Sequence, residues 1–156
     1  MEKLMNVASY IYNRYQNTKG SKIDEMKLHK MLYFAQRESF IQKDEPLFAE
    51  TFYGWKYGPV LKEIRNAYHE NSFYSNVDEK LVSGFKDIMD KVFDEYADKD
   101  SWSLSRLTHG EISWKNSRKG IPTIINSDFP IDIEDIRIDA ERVKNRRKSL
   151  EKLGLV

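Results

Sequence analysis

The sequence predicts a mainly α protein, a single compact domain of about six helices, on three observations. Apolar residues recur at helical spacing along most of its 156 residues. The periodic segments are separated by short polar breaks that carry helix-capping residues. Extended character is confined to at most a small β element near 51–55 and 121–125. A chain of this length fits one domain, and burying roughly 70% of its unfolded surface it needs neither disulfide nor metal to fold.

The first helix is expected from Leu4, Val7, Ala8, Ile11, Tyr12 and Tyr15, closing at "NTKGS", where Gly20 takes the left-handed turn. Asp24 is the expected N-cap of the second helix, "MKLHKMLYFAQRESFI". Leu28, Met31, Leu32 and Ala35 form one face, which Tyr33 and Phe34 widen. A helix apolar around most of its circumference is the natural central pillar of a domain. After "QKDEPLFAET", residues 50–57 read as extended. Gly58-Pro59 then opens a third helix, with Val60, Leu61, Ile64, Ala67 and Tyr68 inside. Asn76 with Glu79 resembles a capping box before a long helix carrying Leu81, Phe85, Ile88, Met89, Val92, Phe93 and Tyr96. Ser101 is the expected cap of a short helix through Leu104 and Leu107. "IPTIINSDFPIDIED" is loop-like or briefly extended, and a terminal helix follows through "DAERVKNRRKSLEKLG". Residues 1–126 are expected to form the helical domain, and 127–156 an acidic loop and basic helix packed on it or extending it.

Composition excludes several function classes. A net charge of +1 gives no global nucleic-acid signature, and the absence of cysteine removes disulfides, thiol catalysis and cysteine-ligated zinc. The longest apolar run, "MLYFA" at 31–35, is far short of the ~20 residues that span a bilayer. The N-terminus lacks the apolar stretch of a signal peptide, so a cytoplasmic protein is expected.

"FYGWKYGP" at 52–59 is the most unusual stretch. Extended backbone sends Tyr53, Trp55 and Tyr57 to one side and Phe52, Gly54 and Lys56 to the other. The aromatic side is expected to lie on the core. The alternative leaves Trp55 or Tyr57 open as an interface anchor, since Trp and Tyr dominate binding hot spots.

Three separated stretches, "MKLHKMLYFAQ", "PLFAETFYGWKYGPVLKEI" and "LSRLTHGEISWKNSR", occur in this order over residues 26–118. Together they resemble the Panacea domain of SocA-type antitoxins and phage-associated proteins. The "WKYGPV" block is the most specific, and "LTH" with "SWKNSR" the second. The resemblance implies a helical antitoxin that binds a co-encoded toxin, the pair often carried by a prophage or other mobile element. It names no toxin and brings no catalytic residue. Trp55, Lys56, Tyr57, Thr108, His109, Trp114 and Lys115 become the candidate partner-binding residues.

No enzymatic constellation competes strongly. His109 and Glu111 form an H-x-E, but the zinc deaminase chemistry it suggests needs cysteine ligands. His29, His69 and His109 lie on separate segments, so neither metal nor cofactor is expected. His109 is read as capping a helix end or bonding a buried carbonyl, and Trp114 as core, with Lys115 and Arg118 toward solvent. From Ser127 to Glu141 six acids stand against Arg137 alone, and from Arg142 to Lys152 six bases stand against Glu151 alone. That order complements the dipole of a terminal helix. Alternatively Arg142, Lys144, Arg146, Arg147 and Lys148 contact nucleic acid or an acidic partner with salt-dependent affinity. An antitoxin is the leading reading, and a nucleic-acid-binding regulator the alternative.

Overall fold

The computed structural model describes residues 1–155 and contains seven helices and one two-stranded sheet. Helices α1 (Glu2–Lys19) and α2 (Glu25–Lys43) come first, followed by strands β1 (Tyr53–Trp55) and β2 (Gly58–Val60). Then come α3 (Lys62–Glu70), α4 (Glu79–Tyr96), α5 (Ser101–His109), α6 (Ile112–Ser117) and α7 (Ile133–Lys152). The short helix expected through Leu104 and Leu107 ends at His109, and after Gly110 and Glu111 a separate helix, α6, follows.

The second helix is the pillar its composition predicts. Every residue from Lys27 to Phe40 is buried, and α1, α4, α5 and α7 all pack against it. Asp24 caps it, accepting from the Lys27 N–H at 2.8 Å. Two other caps are displaced from expectation. Asp78 rather than Asn76 starts α4, accepting from Lys80 N, and Asp100 rather than Ser101 starts α5, accepting from Ser103 N. Ser101 instead donates its hydroxyl to Asp24 at 2.6 Å, joining the starts of α2 and α5.

The hairpin departs most from expectation. Pro59 does not open a helix; it pairs across from Gly54 in β2, and α3 starts only at Lys62. Two side chains of α2 hold this segment extended. Lys30 Nζ donates to Pro59 O at 3.1 Å, and Leu61 N–H donates to His29 Nδ1 at 3.2 Å. No local signal in the chain announces either bond. Residues 121–125, loop-like or at most briefly extended by sequence, form a turn, with Ile125 N–H bonded to Pro122 O at 3.0 Å. The buried Arg118 guanidinium gathers Pro122 O and Ile125 O and so fixes the turn, which contradicts its expected place toward solvent. The extension beside β1 comes from 129–131: Gly54 N–H donates to Phe129 O, and Ile131 N–H to Phe52 O.

Glycine sets which side of the hairpin faces inward. A Cβ on Gly54 would stand 2.0 Å from Ser117 Oγ, so this side lies directly on α6. Phe52 on the same side is 1% exposed. The strip Tyr53, Trp55, Tyr57 therefore faces outward, the reverse of the expected packing. Gly58 has φ +118, and a Cβ there would lie 2.5 Å from Thr108 Oγ1 and 2.6 Å from Lys30 Cε.

The terminal helix is fastened by charge. Arg147 donates to both oxygens of the buried Glu38, at 2.8 and 3.0 Å. Asp139, 1% exposed, accepts the N–H groups of Ile112 and Ser113 at the start of α6 and the Tyr33 hydroxyl at 3.2 Å. Removing one partner of a buried pair strands the other, at a cost of about 3 kcal/mol. Arg147→Ala is therefore expected to lose about that much stability in denaturant unfolding, and the Glu38→Ala, Arg147→Ala double variant less than the sum of the singles. Gly58→Ala is expected to lower the melting temperature by about 5 °C or more, through strain at its positive φ and the two close contacts.

Candidate functional site

The hairpin tip is built from inward-facing backbone and outward-facing rings. Trp114 Nε1 donates to Trp55 O at 2.8 Å, Ser105 Oγ to Tyr57 O at 2.7 Å, and Arg118 Nη1 to Gly54 O at 3.2 Å. Lys56 N–H donates to Asn126 Oδ1 at 3.0 Å. Together with Lys30 on Pro59 O, these bonds engage the tip backbone from α2, α5, α6 and the following loop. The side chains of Trp55, Lys56 and Tyr57 are thereby held in place while remaining at the surface.

Tyr57 is 44% exposed and meets Trp102, 54% exposed at the start of α5, edge to face with centroids 5.2 Å apart. Lys56 Nζ sits 4.9 Å from the Tyr57 ring centroid. Trp55 is half-buried; its Nε1 donates to Asp128 at 3.0 Å, and Arg65 lies over its ring at 5.4 Å. Asp128 also pairs with Lys62 at 2.6 Å, and both contacts pull its carboxyl below the usual range. The result is a fixed aromatic ledge with a mixed-charge rim. Exposed, pre-positioned aromatic rings are the groups that anchor protein interfaces.

Behind the ledge is a cleft of about 350 Å³, lined by Trp55, Tyr57, Met26 and Val60, with Lys30 and His29 of α2 below and Glu25 and Arg65 at its edge. His29 is 2% exposed. Its Nδ1 accepts from Leu61 N–H, so the ring proton is on Nε2, which donates to Glu25 Oε2 at 3.0 Å. Burial lowers the His29 pKa to about 4, outweighing the bond to Glu25. The His29 hydrogen bond lowers the Glu25 pKa to about 2, assisted by Arg65 and His69. Lys30 is 1% exposed, and burial brings its pKa down to about 7.

The other sequence candidates separate by burial. Thr108 is fully buried and donates to Ser105 O at 2.7 Å. Trp114 is 5% exposed and stacks on His109, centroids 4.1 Å apart. The His109 Nε2 is buried and has no hydrogen-bond partner among the described residues, and desolvation lowers its pKa. Of these candidates, Thr108, His109, Trp114 and Lys115, Lys115 is the exposed one. The H-x-E reading breaks apart, because Glu111 turns inward to an ion pair with Arg37 while His109 lies on Trp114. On α7, Arg147 is taken up by Glu38. Arg142, Arg146 and Lys148 are exposed and Lys144 is half-buried. Among the described residues no three His, Asp or Glu side chains converge as a metal site requires, and no helix is long and apolar enough to cross a membrane.

Sequence reasoning missed Trp102 and Lys30. The first had a signal: in "DSWSLS" a tryptophan stands among polar residues at a helix start, where burial is not demanded. The second had none, since Lys30 is one of several charged residues along α2 and its acceptor lies 29 positions away.

A protonated amine is what burial penalises. Between about pH 7 and its ordinary value of 10.5, Lys30 holds its proton less tightly in the folded chain than in the unfolded chain. Stability therefore rises with pH across that window, and the penalty is complete below it. The wild type is expected to gain a few kcal/mol over this range that a Lys30→Met variant does not gain, read as the difference between their unfolding free energies against pH.

A family model described as antitoxin SocA-like, Panacea domain, matches residues 28–115, more than half of the chain. The matched span runs from α2 through α6 and contains the whole hairpin. No curated protein and no solved structure matches the chain at a significant level.

Proposed function

Because the chain belongs to the SocA-like, Panacea-domain antitoxin family, we propose that it neutralises a co-encoded toxin by binding it directly, as an interaction module and not an enzyme. The pair would be cytoplasmic and carried by a prophage or other mobile element. The observation that supports this reading is the Tyr57–Trp102 ledge. Two large rings stand 44% and 54% exposed on a backbone fixed by hydrogen bonds from three helices. A ring pair in the core would be explained by folding alone, and an exposed pair on a mobile loop would lose entropy on binding. A fixed exposed pair is suited to anchoring a partner. Trp55 and Lys56 extend the same surface, and the arrangement needs no bond-making group.

The test is a growth rescue. The adjacent reading frame is expressed alone and then together with this protein. The toxicity of the neighbour is expected to be relieved by co-expression, with the two proteins co-purifying. A neighbour that is harmless, or toxic and unrelieved, contradicts the proposal. The Tyr57→Ala, Trp102→Ala double variant is expected to weaken binding by about 30-fold or more and lose the rescue, as truncation of anchor rings does. Its melting temperature should stay within a few degrees of wild type, because neither ring is in the core.

A further inference from the structure

Lys30 differs from the other charged side chains buried on α2. Arg37 pairs with Glu111, and Glu38 with Arg147. Lys27 has two acceptors, Tyr15 Oη and Ala97 O, and lies 4.7 Å from the Tyr15 ring centroid. Lys30 has one acceptor, Pro59 O, and forms no salt bridge among the described residues. An ammonium carries three donors, and a buried cation without its counter-charge is strongly unfavourable. Holding Pro59 O does not explain that cost, since a neutral amide donor would serve without a charge to bury.

The cleft beside Lys30 supplies no counter-ion either. Its one acid, Glu25, already pairs with His29, Arg65 and His69 at 2.8–3.1 Å. Lys30, Lys56 and Arg65 face that single carboxylate, so the lining is net positive. Its walls are mainly aromatic and aliphatic, and its mouth lies beside the exposed ledge. Resting on the antitoxin reading, we propose that this cleft is a socket for an acidic side chain of the bound toxin. The toxin's Asp or Glu carboxylate would reach the Lys30 ammonium, while its apolar neighbours lie on Trp55 and Tyr57. The missing half of the ion pair is then supplied by the partner, and a cost carried by the free protein is recovered only on binding.

Such pairing requires the protonated amine. The charged groups facing Lys30 are Asp24, Glu25 and His29 on α2 and its cap, His109 on α5, Lys56 at the turn and Arg65 on α3. Above about pH 7 both histidines are neutral, His29 having a value of about 4 and His109 one below the ordinary range. Lys30 is then the group whose charge changes next to the cleft.

The test is a titration of the isotopically labelled full chain, followed by amide NMR, with three short probes. These are the doubly capped peptides acetyl-Leu-Glu-Leu-amide and acetyl-Leu-Gln-Leu-amide, and acetyl-Leu-Gln-Leu with a free C-terminus. The Glu probe is expected to shift the amides of Trp55, Lys56 and Tyr57 and to bind about tenfold tighter than the Gln probe, as a charge-assisted bond gives. This preference should decline from about pH 7 to about pH 9 and disappear in Lys30→Met. Equal binding of the Glu and Gln probes, or a preference unaffected by pH, overturns the socket without recourse to any variant. Tighter binding of the free C-terminus than of the Glu side chain assigns the cleft to a chain end and overturns the proposed occupant. A protein that rescues growth but shows no Glu preference retains the antitoxin reading and loses the socket. A Glu preference in a protein that rescues nothing removes the antitoxin reading instead.

Discussion

The structure depends on α2 being buried along its whole length while carrying charge. Fourteen consecutive residues, Lys27 to Phe40, are inside, and they include Lys27, Lys30, Arg37 and Glu38. Arg37 and Glu38 are met by opposite charges from other elements, and Lys27 and Lys30 by neutral acceptors only, against a cost of several kcal/mol for a buried charge left unmatched. Surrounding elements are therefore specified by charge and hydrogen bonding as well as by apolar packing. Arg147 brings α7 to Glu38, and Glu111 brings the α5–α6 junction to Arg37, where Tyr96 of α4 also bonds at 2.6 Å. Gln36 takes the loop before the hairpin, accepting from Leu47 N–H and donating to Phe48 O. His29 and Lys30 take the hairpin itself.

This arrangement links the pillar to the surface proposed to meet the partner. His29 and Lys30 keep residues 59–61 extended, Trp114 and Ser105 hold the tip, and Gly54 lets α6 approach the backbone. The outward rings are a consequence of those inward bonds. The segment beyond the family match is part of the same scheme, since Asp139 caps α6 and Arg147 closes the pair with Glu38. The basic run of α7 is thus partly structural, with Arg147 internal and Arg142, Arg146 and Lys148 left at the surface.

What could be read from the sequence follows the range of the interactions. The helices and the cap at Asp24 depend on residues three or four positions apart, and periodicity reveals them. The strand at Gly58–Val60 depends on partners 29 and 32 positions away, so Gly58-Pro59 looked like a helix start. The outward turn of Trp55 and Tyr57 was half legible. Alternation placed both rings on one side, and the small residue on the other side, Gly54, marked a close approach of backbone to α6. Aromatic content suggested the opposite packing, but the volume available beside Gly54 decides it. Arg118 was misplaced for a related reason: two of its carbonyl acceptors come from the 118–126 turn and the third from Gly54 of the hairpin, so they converge only in the folded chain.

The most direct measurement is hydrogen–deuterium exchange on this protein alone and in complex with the proposed toxin partner. The account predicts new protection in peptides covering residues 54–58 and the start of α5 around Trp102, with the α7 surface unchanged. Protection confined to the basic face of α7, with the hairpin tip exchanging as in the free protein, would contradict it.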